Sequence, residues 1–504
     1  MRRVLPTIAG CLLGVGAVAQ QRPNIIVFLV DDMGVMDTSV PFLTDSVGNP
    51  CRHKLNDWYR TPNMELLAQQ GTRFSTFYAQ SVSSPSRTSL LTGQNATRHH
   101  TTNWIHPESN NRTEYGPHDW NWMGLNACSV TYPRLLKQVG YRTIHVGKAH
   151  FGCVSSEGEN PLNVGFDVNI GGSAIGEPGS YFGEDGYGEI HGEESRVVPH
   201  LDDYRGTPTF LTEALTQCAL EEISKSVREG KTFYLNMAHY AVHNPFQSDP
   251  RFSSNYLGKG MSEQAQAYAT LVEGVDYSLG VLLQHLKKLG IAENTLIFFL
   301  GDNGGDAPLG GAEECASSAP LRGKKGSEYE GGTRVPFIVS WVQLDAENYF
   351  QQQFPIASGY ACSDFGTVMD IFPTILDVVR VDKPEHHVVD GNSLLRLCSK
   401  KKDSKHRNEF LLHFPHEHRG SYFTAYRRGD WKLIYYYNPE NPEEPHCKIF
   451  NLLEDPYEEN NCVQGNVRIR KKMFNKMCRL LKKQNAQYPV DKEGNALLPK
   501  WRKD

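Results

Sequence analysis

What this sequence lacks narrows it first. Past the N-terminal segment, no stretch is long and apolar enough to span a bilayer, so the body of the chain carries no membrane span. The eleven cysteines form neither C-x-x-C pairs nor zinc-like clusters, which argues against a zinc ribbon or a dithiol redox centre. Positive charge is not in excess. The formal net charge of −5 argues against a nucleic-acid partner held by bulk electrostatics, although a local basic pocket stays open. No internal repeat is present. With 39% apolar and 22% charged residues the chain is too apolar to be disordered, and 504 residues suffice for one large core plus a smaller domain.

The N-terminus has Arg2 and Arg3, an apolar run ending Ala17-Val18-Ala19, and then Gln20-Gln21-Arg22. That order reads as a secretory signal over residues 1–19 and an exported, periplasmic protein. A lipoprotein site at Ile8-Ala9-Gly10-Cys11 ranks second, because cleavage there leaves Leu12 to Ala19, still apolar, at the mature start; a secreted form is the other variant. Losing the leader removes Cys11 and leaves ten cysteines, some of which can pair in an exported protein, Cys447 with Cys462 for instance, although the sequence does not set the connectivity. Asn95 and Asn111 begin glycosylation acceptor triplets, relevant only in a host that glycosylates.

Two continuous apolar runs, Asn24 to Val30 and Thr295 to Leu300, read as strands buried on both faces. Both end abruptly in hard oxygen donors, Asp31-Asp32 after the first and Asp302-Asn303 after the second. Either pair alone is an ordinary turn or cap; two such pairs at strand ends point to one shared calcium or magnesium site. Arg73 to Tyr78 reads as another strand, running into Ser83-Ser84-Pro85-Ser86-Arg87 with Ser84 as cap and Pro85 as first helical residue. Such a turn favours an anion, and Arg87 lies one helical turn beyond Ser83.

Further strands read as Arg142–Val146, Thr232–Met237 and Phe337–Trp341, and helices as Pro62 to Gly71, Tyr132 to Val139, Pro208 to Lys225 capped by Thr207, and Gln264 to Leu289. Their alternation predicts an α/β fold, a large mixed sheet flanked by helices on both faces, over residues 22–405. Short strands around Phe410, Tyr422, Trp431 and Lys448, and a helix from Val467 to Lys483, predict a small C-terminal antiparallel sheet-plus-helix domain over 406–504. The basic residues of that helix, Arg468 to Lys472 and Arg479 to Lys483, read as its solvated face. Residues 94 to 130 are irregular and rich in aromatics and histidines, including Trp104, His106 and Trp120. Strand-end turns add Lys148 with His150, His239 with His243, and Lys325. Together with Arg87 and one divalent metal they describe a pocket for a tetrahedral anion.

These motifs resemble the type I, formylglycine-dependent sulfatases of the alkaline phosphatase superfamily. The signature C/S-x-P-x-R-x-x-x-x-T-G stands here as Ser83-x-Pro85-Ser86-Arg87 through Thr92-Gly93, with supporting matches at Asp31-Asp32, Gly147-Lys148-x-His150, His243-Asn244-Pro245, Asp302-Asn303-Gly304 and Tyr329-Glu330-Gly331-Gly332. The resemblance implies an alkaline phosphatase-like fold and a formylglycine (3-oxoalanine) at Ser83, made by a maturase able to oxidise serine where many relatives carry cysteine. One hydroxyl of the hydrated aldehyde would attack sulfur and expel the substrate alcohol; the other would return to aldehyde and release sulfate. It also implies Ca2+ held by Asp31, Asp32, Asp302, Asn303 and modified Ser83. Arg87 would orient the diol, Lys148, Lys325 and His243 would hold sulfate oxygens, His243 would protonate the leaving alcohol, and His150 would act as base. The expected substrate is a sulfated carbohydrate, with exo action on glycosaminoglycan or other sulfated glycan fragments favoured. A phosphomonoester or phosphodiester hydrolase of the same superfamily and an inactive glycan-binding relative are the competing readings.

Overall fold

The computed structural model describes residues 22–45, 47–190, 196–309, 318–463 and 465–502. The leader read over 1–19, with its rival site at Cys11, lies outside the described residues.

The first strand, β1 (Asn24–Val30), is apolar from Ile25 onward because both of its faces are covered. Ile26, Phe28 and Val30 enter one core beneath helices Leu211–Arg228 and Glu263–Lys288, while Ile25, Val27 and Leu29 enter a second beneath helices Tyr132–Gln138 and Ile371–Val379. A two-residue period thus divides one strand between two layers of helices.

The chain adds β2 (Thr72–Phe74), β3 (Phe77–Tyr78), β4 (Arg142–Gly147), β5 (Val168–Ile170), β6 (Phe233–His239), β7 (Thr295–Gly301), β8 (Phe337–Trp341), β9 (Tyr360–Cys362) and β10 (Gly366–Thr367). Eight of them form a sheet in the order β5-β4-β6-β1-β7-β8-β2-β9, and β3 pairs separately with β10. Strands β4, β6, β1 and β7 are mutually parallel neighbours, so the loops leaving their carboxyl ends share one edge. Only β8 runs against its neighbours, which makes the sheet mixed, as the sequence predicts.

Two expected elements differ. The strand read over Arg73–Tyr78 is broken between β2 and β3. Phe74 and Phe77, three residues apart, would face opposite sides of a continuous strand, and the break lets both enter the same core, with Phe77 stacked on Phe337 at 3.9 Å between ring centroids. The helix read from Pro208 begins at Leu211 after Phe210. The Thr207 hydroxyl accepts instead from the Thr209 N–H, 3.2 Å away, in the turn before it.

Past residue 405 come β11 (Glu409–Glu417), β12 (Ser421–Arg428), β13 (Trp431–Tyr436) and β14 (His446–Asn451), a separate antiparallel sheet in sequential order. Helix Val467–Lys483 covers one face through Met473, Phe474, Met477 and Leu481. The other face, with Phe410, Leu412, Phe423 and Ile434, packs on Tyr78, Val82 and Phe365 of the large unit. Arg470 does not belong to the solvated face assigned to it: it is fully buried, its guanidinium 5.0 Å from the centre of the Trp501 ring. Cys462 is an unbridged thiol, so the pairing with Cys447 that the sequence allows is not made. Asn95 is also no glycosylation acceptor in the folded chain, because it is buried and its amide donates to the Leu411 carbonyl at 2.8 Å.

Between the two sheets lies a buried ion cluster. The Lys432 ammonium sits 3.1 Å from Glu330 Oε1 and 2.8 Å from Glu458 Oε1, and the Tyr78 hydroxyl donates to Glu330 Oε2 at 2.7 Å. Breaking such a cluster strands an uncompensated charge. Lys432→Met is therefore expected to lower unfolding free energy by about 3–5 kcal/mol, read by denaturant melts. A change below about 1 kcal/mol would show that the cluster is not held as a charged unit.

Candidate active site

Register alone brings the functional loops together. Val30 stands beside His239 on one side and Gly301 on the other, and Gly147 stands beside Ala238, so residues 31–32, 302–303, 148–150 and 239–243 leave the sheet side by side. Two glycines permit this closeness. A Cβ on Gly147, whose φ is +101°, would lie 1.9 Å from the Ala238 carbonyl oxygen, and one on Gly304 would lie 2.1 Å from that of Gly331. Asp32 and His150 hold positive φ values of 58° and 55° without being glycine. Such strain collects where the direction of a side chain matters.

Ser83 reaches the same point from below as the first residue of helix Ser83–Thr92, all ten residues of which are buried. The helix begins earlier than read, with Val82 rather than Ser84 in the cap position and Pro85 third rather than first. The Ser84 hydroxyl instead accepts from the Ile105 N–H at 3.0 Å, tying the irregular loop to the helix. The Ser83 hydroxyl lies 3.1 Å from Asp31 Oδ1, 3.1 Å from Asn303 Oδ1 and 3.1 Å from the Lys148 ammonium.

Around it, ligand oxygens of Asp31, Asp32 and Asp302 lie within 4.8 Å of one another, all buried, and the Asn303 amide joins them by donating to Asp32 Oδ1 at 2.9 Å. Three cations face this cluster. Arg87 donates through Nε to Asp302 Oδ2 at 2.8 Å and through Nη1 to the Lys148 carbonyl at 2.7 Å; Lys148 lies 2.7 Å from Asp31 Oδ2; Lys325 lies 2.7 Å from Asp32 Oδ2. Arg87 thus braces the carboxylates around Ser83.

The electrostatics follow from burial and these neighbours. Burial, and then the charges of Asp302 and Asp32, push the Asp31 carboxyl well above its usual range against the pull of Lys148 and Arg87. Despite burial, His243, Lys325 and Lys148 hold Asp32 below that range, and Arg87 and Lys148 do the same for Asp302. Hard oxygen donors that crowd one another in this way are what a divalent cation such as calcium stabilises, so the residues present fit such an ion.

The two histidines differ in tautomer. His150 Nε2–H donates to the Ile105 carbonyl at 2.6 Å, which leaves Nδ1 as a buried lone pair with no partner, and burial followed by the Lys148 charge holds the ring neutral. His243 Nδ1–H donates to the Asn244 carbonyl at 3.0 Å, so Nε2 accepts from Lys325 at 3.1 Å; burial pulls this ring down to about 4. His239 is elsewhere, paired with the Ser278 hydroxyl at 2.9 Å in the core under the sheet.

Above these groups opens a pocket of about 290 Å³ lined by Ser83, Lys148, His150, His243 and Lys325 together with Trp104 and His106. Trp120, by contrast, packs in a small satellite core with Ile105 and Cys153. The sequence reading passed over Glu177, Arg196, Asp306, His418 and Arg419, which complete the wall. Of these only His418 carries a signal, in the histidine-dense run His413 to His418; that run covers the end of β11 and the start of its turn into β12, which carries the small sheet to the pocket.

The sulfatase family model matches residues 23–381, and the model of the C-terminal region of N-sulphoglucosamine sulphohydrolase matches residues 325–487. The chain is similar to the N-acetylgalactosamine-6-sulfatase of Rattus norvegicus, 31% identical over 413 residues, with 78% of this chain and 68% of the relative covered. It is 28% identical to a sulfatase of Formosa agariphila, with 96% of this chain and 93% of the relative covered. In fold it is similar to the crystal structure of Ps i-CgsB in complex with k-i-k-neocarrahexaose, with a TM-score of 0.71 at 24% identity, covering 94% of this chain and 96% of that one. With a family model spanning most of its length and the fold in agreement, the chain belongs to the sulfatases of the alkaline phosphatase superfamily and is a sulfuric ester hydrolase.

Proposed function

We propose that this sulfatase removes a sulfate ester from the end of a sulfated glycan, using a formylglycine made from Ser83 and one calcium ion. The observation that carries the reading is the position of Ser83, with its hydroxyl 3.1 Å from two prospective ligand oxygens and 3.1 Å from an ammonium. Serine alone is a weak nucleophile. Formylglycine supplies a hydrated aldehyde in its place, and calcium, held by Asp31, Asp32, Asp302, Asn303 and residue 83, supplies a charge that draws in oxygen.

The remaining work falls to side chains already in place. Lys148 and Lys325, which line the pocket with Ser83, offer ammonium groups to sulfate oxygens, and Arg87 keeps Asp31 and Asp302 aimed. Lys325 and His243 Nε2 share a hydrogen bond at the pocket wall, where a leaving alcohol would take its proton. His150 Nδ1, with its lone pair free, is the base. A pocket of about 290 Å³ suits a single sugar rather than a chain passing through, which supports exo action. The names of the similar proteins, a galactosamine sulfatase and a protein solved with a neocarrahexaose, support a glycan substrate.

The peptide Phe74–Arg87 from the native host is expected to be two hydrogens lighter than its sequence requires, read by mass spectrometry. Only unmodified serine in an active preparation would remove the aldehyde. A panel of sulfated mono- and disaccharides is expected to be cleaved in preference to matched phosphate esters, and the reverse preference would overturn the substrate class. Export to the periplasm belongs to the same proposal; a mature protein beginning at Gln20 is its check.

A further inference from the structure

The small C-terminal unit contains a cleft that the chemistry above does not use. It measures about 640 Å³ and shares no lining residue with the active-site pocket. Its walls are the start of β11, the hairpin between β12 and β13, and helix Val467–Lys483, and its apolar floor is Met473 and Ile469. Arg407, Arg428, Lys472 and Lys476 project around it, and Trp431 forms one side.

The charge there is one-sided. Helix Val467–Lys483 holds eight lysines and arginines and no acidic residue, in a chain whose net charge is −5. Glu409 is the single carboxylate in the lining, and it already accepts from the Tyr426 hydroxyl at 2.8 Å and lies 3.6 Å from Lys476. Arg428 is placed by register, directly across from Glu409 on one strand and from Trp431 on the other. Among the described residues, Arg407, Arg428 and Lys472 make no ion pair, and all three are exposed. Part of the helix's basic face is therefore more than a solvated surface. It borders a concave site with an aromatic side.

We propose that this cleft is a second, non-catalytic binding site for a sulfated polysaccharide chain. Repeated sulfates match spaced cations, and the half-buried indole of Trp431 offers an apolar face to a sugar ring. The site would hold the polymer while its end is processed elsewhere, a role that rests on the glycan reading of the substrate.

The test uses the full chain as Ser83→Ala, which cannot consume the probe, with and without Arg428→Ser, Lys472→Ser and Lys476→Ser together. The probe is chondroitin 6-sulfate polymer, titrated at low salt. Removing the three cations is expected to weaken binding by about tenfold or more and to flatten its salt dependence. In the otherwise native enzyme the same three changes should leave turnover of a sulfated disaccharide unchanged. Equal binding by both forms, or none by either, would overturn the second site while leaving the disaccharide activity, and with it the catalytic reading, untouched. Duplex DNA or polyglutamate of matched charge binding as tightly as the sulfated polymer would overturn the glycan assignment. A Trp431→Ala variant that keeps full affinity for the polymer would also overturn it.

Discussion

Ser83→Ala is expected to lower kcat by about ten-thousand-fold or more while the protein stays folded. The magnitude follows from what the side chain does: among the described residues Ser83 is the one hydroxyl side chain lining the pocket, and neither lysine nor histidine nearby can replace a carbon-borne oxygen at that point. Folding should tolerate the change. The hydroxyl makes hydrogen bonds to Asp31, Asn303 and Lys148, but Lys148 keeps its contact with Asp31 and Asn303 keeps its contact with Asp32. The cost in stability should be about 1 kcal/mol. Steady-state turnover and a denaturant melt on the same preparation separate the two effects. Activity within tenfold of the native enzyme would exclude Ser83 from the chemistry.

Chelation of calcium is expected to abolish turnover without unfolding the chain. Three buried carboxylates face the buried Arg87 and Lys148 and the half-buried Lys325, so the formal charges of the cluster balance and it has no need of an ion to stay folded. Adding a divalent ion makes the site net positive, which is the condition for drawing in a sulfate ester and stabilising charge built up on its oxygens. The ion should also stabilise the fold by mass action, by about 2.7 kcal/mol when present at a hundred times its dissociation constant. Turnover that survives exhaustive chelation would remove the metal from the reaction. Loss of far-ultraviolet circular dichroism on chelation would show instead that the cations do not balance the carboxylates. Asp302→Asn should act in the same direction, weakening calcium binding and leaving Arg87 short of its nearer carboxylate partner.

Much of this site could be read from the chain because it sits at the ends of regular strands. A buried apolar run that stops at Asp31-Asp32, and another that stops at Asp302-Asn303, each announce where the backbone leaves the sheet. Parallel packing then makes their meeting nearly obligatory. Lys148, His150 and His243 follow strands of the same parallel set and are found at the same edge. Local start signals were less reliable. Ser84 and Thr207 are good caps in isolation, yet each spends its hydroxyl on a different backbone N–H, because a loop or turn nearby offers a partner the sequence does not show. The basic neighbours of Arg470 point to the surface, yet it lies inside, where the Trp501 ring, distant in sequence, covers it.

The outer pocket follows another rule. Glu177, Arg196, Asp306, His418 and Arg419 come from loops and from the hairpin of a separate sheet, with no periodicity to mark them. What the amino-acid order determined alone was the double-faced sheet, the donor pairs at its edge and the strand-to-helix passage that delivers Ser83, since each depends on contacts close in sequence or on strand polarity. Which cation meets which carboxylate, the tautomers of His150 and His243, and the outer walls of the pocket were decided only when distant segments packed, because the energies involved are those of burial and of charges a few ångströms apart.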